Sequence, residues 1–147
     1  MSEERFVLAS LDKVVWVFPV SLIVEVVIVE RDKLLNLPFY DNAILGCIHH
    51  GGEIITLVSL QEILGAKGEQ IRVKIRGKIT LIRLSKFVEG LGEVGIVVDR
   101  ILGRKNRNEL PETLFLPSEN SDLRLFSPEI LKSEIWQPVR SLLKSNR

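Results

Sequence analysis

Cys47 and His49 are the residues best suited to hold a metal ion or to attack a substrate. One residue apart, they fall on the same face of a strand, because strand side chains alternate. His50 then points to the opposite face, and the chain has only 2 histidines. Zinc takes at least three protein ligands, so this set is too small. A thiol nucleophile needs a base held in place by a third group, and a strand-mate two residues away is a poor one. A single cysteine also excludes an intramolecular disulfide and any multi-cysteine zinc site. The carboxylates are scattered, with no paired-acid arrangement for hydrolysis. No glycine-rich phosphate loop of the GxGxxG or GxxxxGK[ST] type occurs. The residues therefore predict no enzyme, no metal and no cofactor.

Two acids stand out. Glu25 is the only charge in the run Ile23-Val24-Glu25-Val26-Val27-Ile28-Val29. A charge in an apolar strand is costly unless it is paired or exposed. It reads as solvent-facing on a one-sided strand or as facing a partner on a binding sheet. Asp99, in Val97-Val98-Asp99-Arg100, has the same status as Glu25 and reads as a strand-end cap or as paired with the neighbours of Arg100.

Arg72, Lys74, Arg76 and Lys78 alternate with Ile71, Val73, Ile75 and Gly77, so a strand would carry all four cations on one face. That basic strand, with the cations of residues 104–107, makes a small nucleic-acid-binding barrel the alternative function. Single-strand binders also use aromatic stacking platforms. Only 6% of the chain is aromatic and no ring interleaves with these cations, so nucleic acid is not expected as a partner.

The elements that would position these residues are mostly strands. Residues 6–9, 14–18, 23–29, 44–50, 53–58, 79–84 and 94–101 are short apolar or β-branched runs. Gly51-Gly52 marks a two-residue hairpin between two of them. Residues 60–64 suit one helical turn with Ser59 as N-cap. Residues 66–70 and 86–92 read as loop and turn, and 103–111 as a polar loop. Ser127-Pro128-Glu129 opens a short helix over 129–133. Trp136 and Pro138 set a turn before a last helix over 139–145. Strands at this spacing fit a small barrel or sandwich.

The 147 residues suffice for one ordinary domain or two small lobes sharing a core. Lys and Arg number 20 and Asp and Glu 19, so no net field draws the chain to nucleic acid or an anionic membrane. No apolar run reaches membrane-spanning length, and the start Met-Ser-Glu-Glu is too acidic for a signal peptide. The expectation is a cytoplasmic protein without direct membrane insertion.

Residues 18–101 resemble the CheW family of chemotaxis adaptors. Three stretches carry the likeness. Ile23, Glu25 and Val26 are similar to a family Val-x-Glu-Ile element. Leu37-Pro38 followed by Gly46-Cys47-Ile48-His49-His50-Gly51-Gly52, with the apolar strand after it, is similar to Gly-Val-Ile-Asn-Leu-Arg-Gly and its return strand. Val94-Gly95-Ile96-Val97-Val98-Asp99-Arg100-Ile101 is close to the family's Gly-x-x-Val-Asp-x-Val strand. Gly51 stands where the family has arginine, Thr56 where it has proline and Ser59 where it has aspartate. The C-terminal stretch also departs, which suits a divergent subgroup such as phototaxis or twitching-motility adaptors.

The resemblance implies a mainly β fold: one domain over residues 1–147, made of two small five-stranded SH3-like β-barrel lobes packed together. Short helices would lie near the middle and the C-terminus. It also implies a non-enzymatic adaptor that links methyl-accepting chemoreceptor tips to the regulatory domain of a CheA-type histidine kinase, recruited to membrane-associated arrays. Partner-binding positions carried over are Ile23, Glu25 and Val26 beside the receptor groove, the hairpin glycines Gly46 and Gly52, and Gly95, Val97, Val98 and Asp99. One of Val97 and Val98 is expected in the core. Exposed apolar strands could also support a homo-oligomer.

Overall fold

The structure, a computed structural model, describes residues 4–37, 40, 42–63, 77–85, 93–116 and 122–131. Nine strands dominate: β1 (Arg5–Leu11), β2 (Val14–Pro19), β3 (Ile23–Glu30), β4 (Ile44–His50), β5 (Glu53–Val58), β6 (Lys78–Leu84), β7 (Glu93–Val98), β8 (Arg100–Asn106) and β9 (Leu123–Leu125). One turn of α-helix, α1 (Leu60–Ile63), follows β5. They form a four-stranded sheet in the order β8-β1-β2-β9 and a five-stranded sheet in the order β3-β6-β7-β5-β4.

Two tight hairpins set the register. Gly51 (φ 59°) and Gly52 (φ 79°) are both left-handed, as a two-residue primed turn requires, and they place His50 opposite Glu53. Asp12 (φ 55°) takes the same conformation between β1 and β2, which a short polar side chain tolerates.

Side-chain alternation gives each sheet two apolar faces, and the described residues form three cores. The largest lies between the sheets. There Trp16 and Phe18 of the first meet Ile82, Leu84, Val94, Ile96 and Val98 of the second. Phe18 and Phe126 stack within it, centroids 4.8 Å apart. The other two cores lie inside the curled sheets. Val27, Ile48, Ile55, Leu57, Ile79, Leu81 and Val97 fill the second. Phe6, Leu8, Val17 and Leu110 fill the first.

The mainly β, two-sheet architecture expected from the sequence is present, and β4 and β5 have the expected ends. The first sheet has four strands among the described residues. Three local expectations are corrected. Residues 94–101 are not one strand: the chain breaks at Asp99 and passes from the second sheet to the first. The first part of the expected polar loop 103–111 is strand, the end of β8, whose edge position leaves most side chains in water, and a 3-10 turn over Arg107–Glu109 follows. The turn opened by Ser127 is 3-10 over Pro128–Ile130, with the Ser127 hydroxyl accepting from the Glu129 amide. The expected loop 66–70, turn 86–92, Trp136-Pro138 turn and last helix 139–145 lie outside the described residues.

Candidate protein-binding surface

Four inward-facing rows of the second sheet end in polar residues at one mouth of its curl. On β3 the row Val29, Val27 ends in Glu25, and on β6 the row Ile79, Leu81 ends in Arg83. Glu25 and Arg83 are direct cross-strand partners. Glu93 heads the same face of β7, and His50 ends that of β4.

Arg83 holds this rim together. Its side chain is 13% exposed and donates from Nε to Glu93 and from Nη1 to Glu25 Oε1 at 3.1 Å. The hydrogen bond that Arg83 donates to Glu93 raises the Arg83 pKa above its ordinary value, burial opposes that rise, and Glu25 adds to it. Glu25 Oε1 also lies 3.2 Å from His50 Nε2, and the Glu25 side chain keeps 41% of its surface in water. A largely shielded guanidinium with two carboxylates is a satisfied arrangement, not a reactive one.

The opposite face of β3 is apolar and open. Val24 is 51%, Val26 42% and Ile28 63% exposed. A bulge at Val24, between the Ile23–Leu84 and Glu25–Arg83 pairs, re-aims the strand there. Val26 pairs with Ile82, which is fully buried in the core between the sheets. One sheet face thus runs from that core, where β6 and β7 are covered, out onto β3, where apolar side chains meet water. Exposed contiguous apolar surface of this kind marks interaction sites.

The residues expected at partner contacts separate into surface and interior. Ile23 packs half-buried against the core between the sheets, Glu25 sits on the polar rim, and Val26 faces out. These three neighbours do not share a face. Gly52 is exposed at the hairpin tip. Four of the positions are buried. Gly46, at φ 144°, lies beneath Leu35, whose carbonyl oxygen would be 2.3 Å from an added Cβ. Gly95 is roofed by Leu81, Ile55 and Leu57. Val97 and Val98 are both core residues, one inside the second sheet's curl and one between the sheets. These positions shape the sheet and offer no side chain to a partner. Asp99 is exposed but structural: its Oδ2 accepts from the Asp12 amide at 2.7 Å, and its own amide donates to the Ser10 carbonyl at 2.7 Å.

Reading the sequence misses Val24 and Ile28 as surface residues, and it misses Arg83 and Glu93. The available signal was a lone arginine in the apolar run 79–84, matching the lone acid in 23–29. Cys47 is half-buried, with its backbone paired to Leu35 in both directions at 2.8 Å. His49 is exposed opposite Ile54. No cluster of three or more possible metal ligands occurs among the described residues. Arg72, Lys74 and Arg76 lie outside the described residues, and Lys78 is exposed opposite Glu30 at the start of β6. No helix among the described residues is long and apolar enough to cross a membrane.

Comparison with curated proteins returns no match. Among solved structures, the fold is similar to the scaffolding protein TtCheW from Thermoanaerobacter tengcongensis. The TM-score is 0.54 at 20% identity, over 77% of this chain and 69% of that one. The family model described as CheW-like domain matches residues 5–111, most of the chain and nearly all of both sheets. On that match, the chain belongs to the CheW-like domain family.

Proposed function

We propose that this chain is a non-enzymatic adaptor that couples a methyl-accepting chemoreceptor tip to the regulatory domain of a CheA-type histidine kinase. Family membership and the fold support the reading, and one observation carries it: the open apolar face of β3, Val24, Val26 and Ile28, beside a fixed carboxylate at Glu25. A receptor tip is a helical hairpin. An amphipathic helix can lay its apolar face along such a strip, with anchors one helical turn apart. Glu25, held by Arg83 and His50, gives that contact a charged margin that sets orientation more than affinity.

The chemistry is association alone. Interfaces of this signalling kind are modest in area, and repetition in an array multiplies their strength. The protein would work as one two-lobed domain on the cytoplasmic side of the receptor array. The test is binding of a receptor-tip fragment to the wild type and to Val26→Asp. Val26 is exposed, so the fold survives the change, and affinity is expected to fall about tenfold or more as a charge enters the apolar contact. Equal affinity in a folded variant would remove β3 from the interface.

A further inference from the structure

The eight residues from Arg100 to Arg107 read Arg-Ile-Leu-Gly-Arg-Lys-Asn-Arg, four cations and no acid. The whole chain carries +1, so the remaining residues sum to 1 − 4 = −3. All of this run but Arg107 is β8, the outermost strand of the first sheet, so three of its four cations lie along a sheet edge. β8 pairs with β1 on one side, and no strand pairs with its other side among the described residues.

Nearby acids do not neutralise the strand. Glu4 pairs with Arg107 at 3.5 Å, and the Glu109 carboxylate accepts from the Asn106 amide at 3.0 Å. Asp99 is engaged with the Asp12 amide. Arg100, Arg104 and Lys105 are exposed and have no carboxylate partner among the described residues. Between them Leu102 is 45% exposed, at a bulge where Leu8 pairs with Gly103 and Ala9 with Ile101. Past the bulge, Gly103 to Asn106 runs in regular register with β1.

We propose that the β8 edge is a second docking surface, and that its occupant is an acidic, extended protein segment added as a further strand. Backbone pairing along the open edge supplies the geometry, as in other cases of strand addition. Arg100, Arg104 and Lys105 supply the charge selection, and Leu102 is an apolar anchor. A nucleic acid fits less well, since among the described residues no exposed ring lies along β8 to stack a base. Phe115, the ring nearest in sequence, lies under the Arg107 guanidinium at 3.9 Å and packs on Phe6 in the first sheet's core. Edge charges also deter unwanted pairing between sheets, and that simpler role predicts no ligand. The proposal stands apart from the β3 reading: it concerns another sheet, another chemistry and a different partner segment.

The test is fluorescence anisotropy on the full chain. The probe is a labelled nonapeptide of alternating glutamate and threonine with a central leucine. Binding at low salt is expected, weakened several-fold at about 0.15 M salt as screening shortens the reach of the cations. Arg104→Glu with Lys105→Glu should lose binding about tenfold or more at an unchanged melting temperature. A peptide N-methylated at alternate residues should also lose it, since strand addition needs its amides. Val26→Asp should bind the peptide as the wild type does, and the double charge reversal should still bind a receptor-tip fragment. Failure of one surface is thus read separately from failure of the other. Absence of binding at low salt overturns the proposal. So does binding that survives the charge reversal or the N-methylation, or equal affinity for a single-stranded oligonucleotide.

Discussion

Glu25 and His50 stand on the two outermost strands of one five-stranded sheet, yet their side chains meet at 3.2 Å. The sheet is curled far enough for its edges to approach, and side chains join them there. Both side chains are more than a third exposed, so the contact is screened by water. His50→Ala should lower stability by less than about 1 kcal/mol in urea denaturation.

Arg83 is a different case because only 13% of its side chain is exposed and its partner Glu93 is buried. Arg83→Met leaves Glu93, buried, without its guanidinium, and should cost about 3 kcal/mol. Adding Glu93→Leu should recover most of that loss, since a packed apolar pair of similar volume is tolerated where a buried charge is not. A double-mutant cycle in denaturant checks both values. A double variant no more stable than the single one would show that the rim draws its strength elsewhere.

Asp99 ties the corner where the chain leaves the second sheet to the Asp12 turn of the first. Asp99→Ala should cost about 1 kcal/mol through the lost acceptor and leave receptor-tip affinity unchanged. A variant of full stability with weakened binding would reverse that assignment and make Asp99 a contact residue.

The two buried glycines differ in kind. An alanine at Gly46 meets both a positive φ and the backbone oxygen of Leu35 at 2.3 Å, neither of which a side-chain rotation relieves. Gly46→Ala should destabilise by roughly 3 kcal/mol. At Gly95 the obstacles are side-chain ends, the nearest being Leu81 Cδ1 at 2.8 Å. Gly95→Ala should cost about 1–3 kcal/mol, and Leu81→Val should relieve part of it. Thermal melts of the three variants separate backbone strain from overpacking.

Much of this fold is legible in the sequence where burial is one-sided and turns are strong. Residues 44–58 show apolar runs around Gly51-Gly52, and both strands have the expected ends. Legibility fails where a strand has little to bury. β8 inserts only Ile101 into a core, so its part from Gly103 onward reads as a polar loop. The passage at Asp99 is hidden because an apolar run records burial and not which sheet provides it. The Glu25-Arg83-Glu93 set is hidden for a related reason. Its members come from three strands, and only the register of β6 against β3 and β7 brings them together.

The account stands most directly on calorimetry of this chain with the regulatory domain of a CheA-type histidine kinase from the same organism. Association with a Kd of about 10 μM or tighter, near −7 kcal/mol, is predicted. No detectable association by a folded sample at about tenfold higher concentration would contradict it. The likeness to the family would then be one of fold alone.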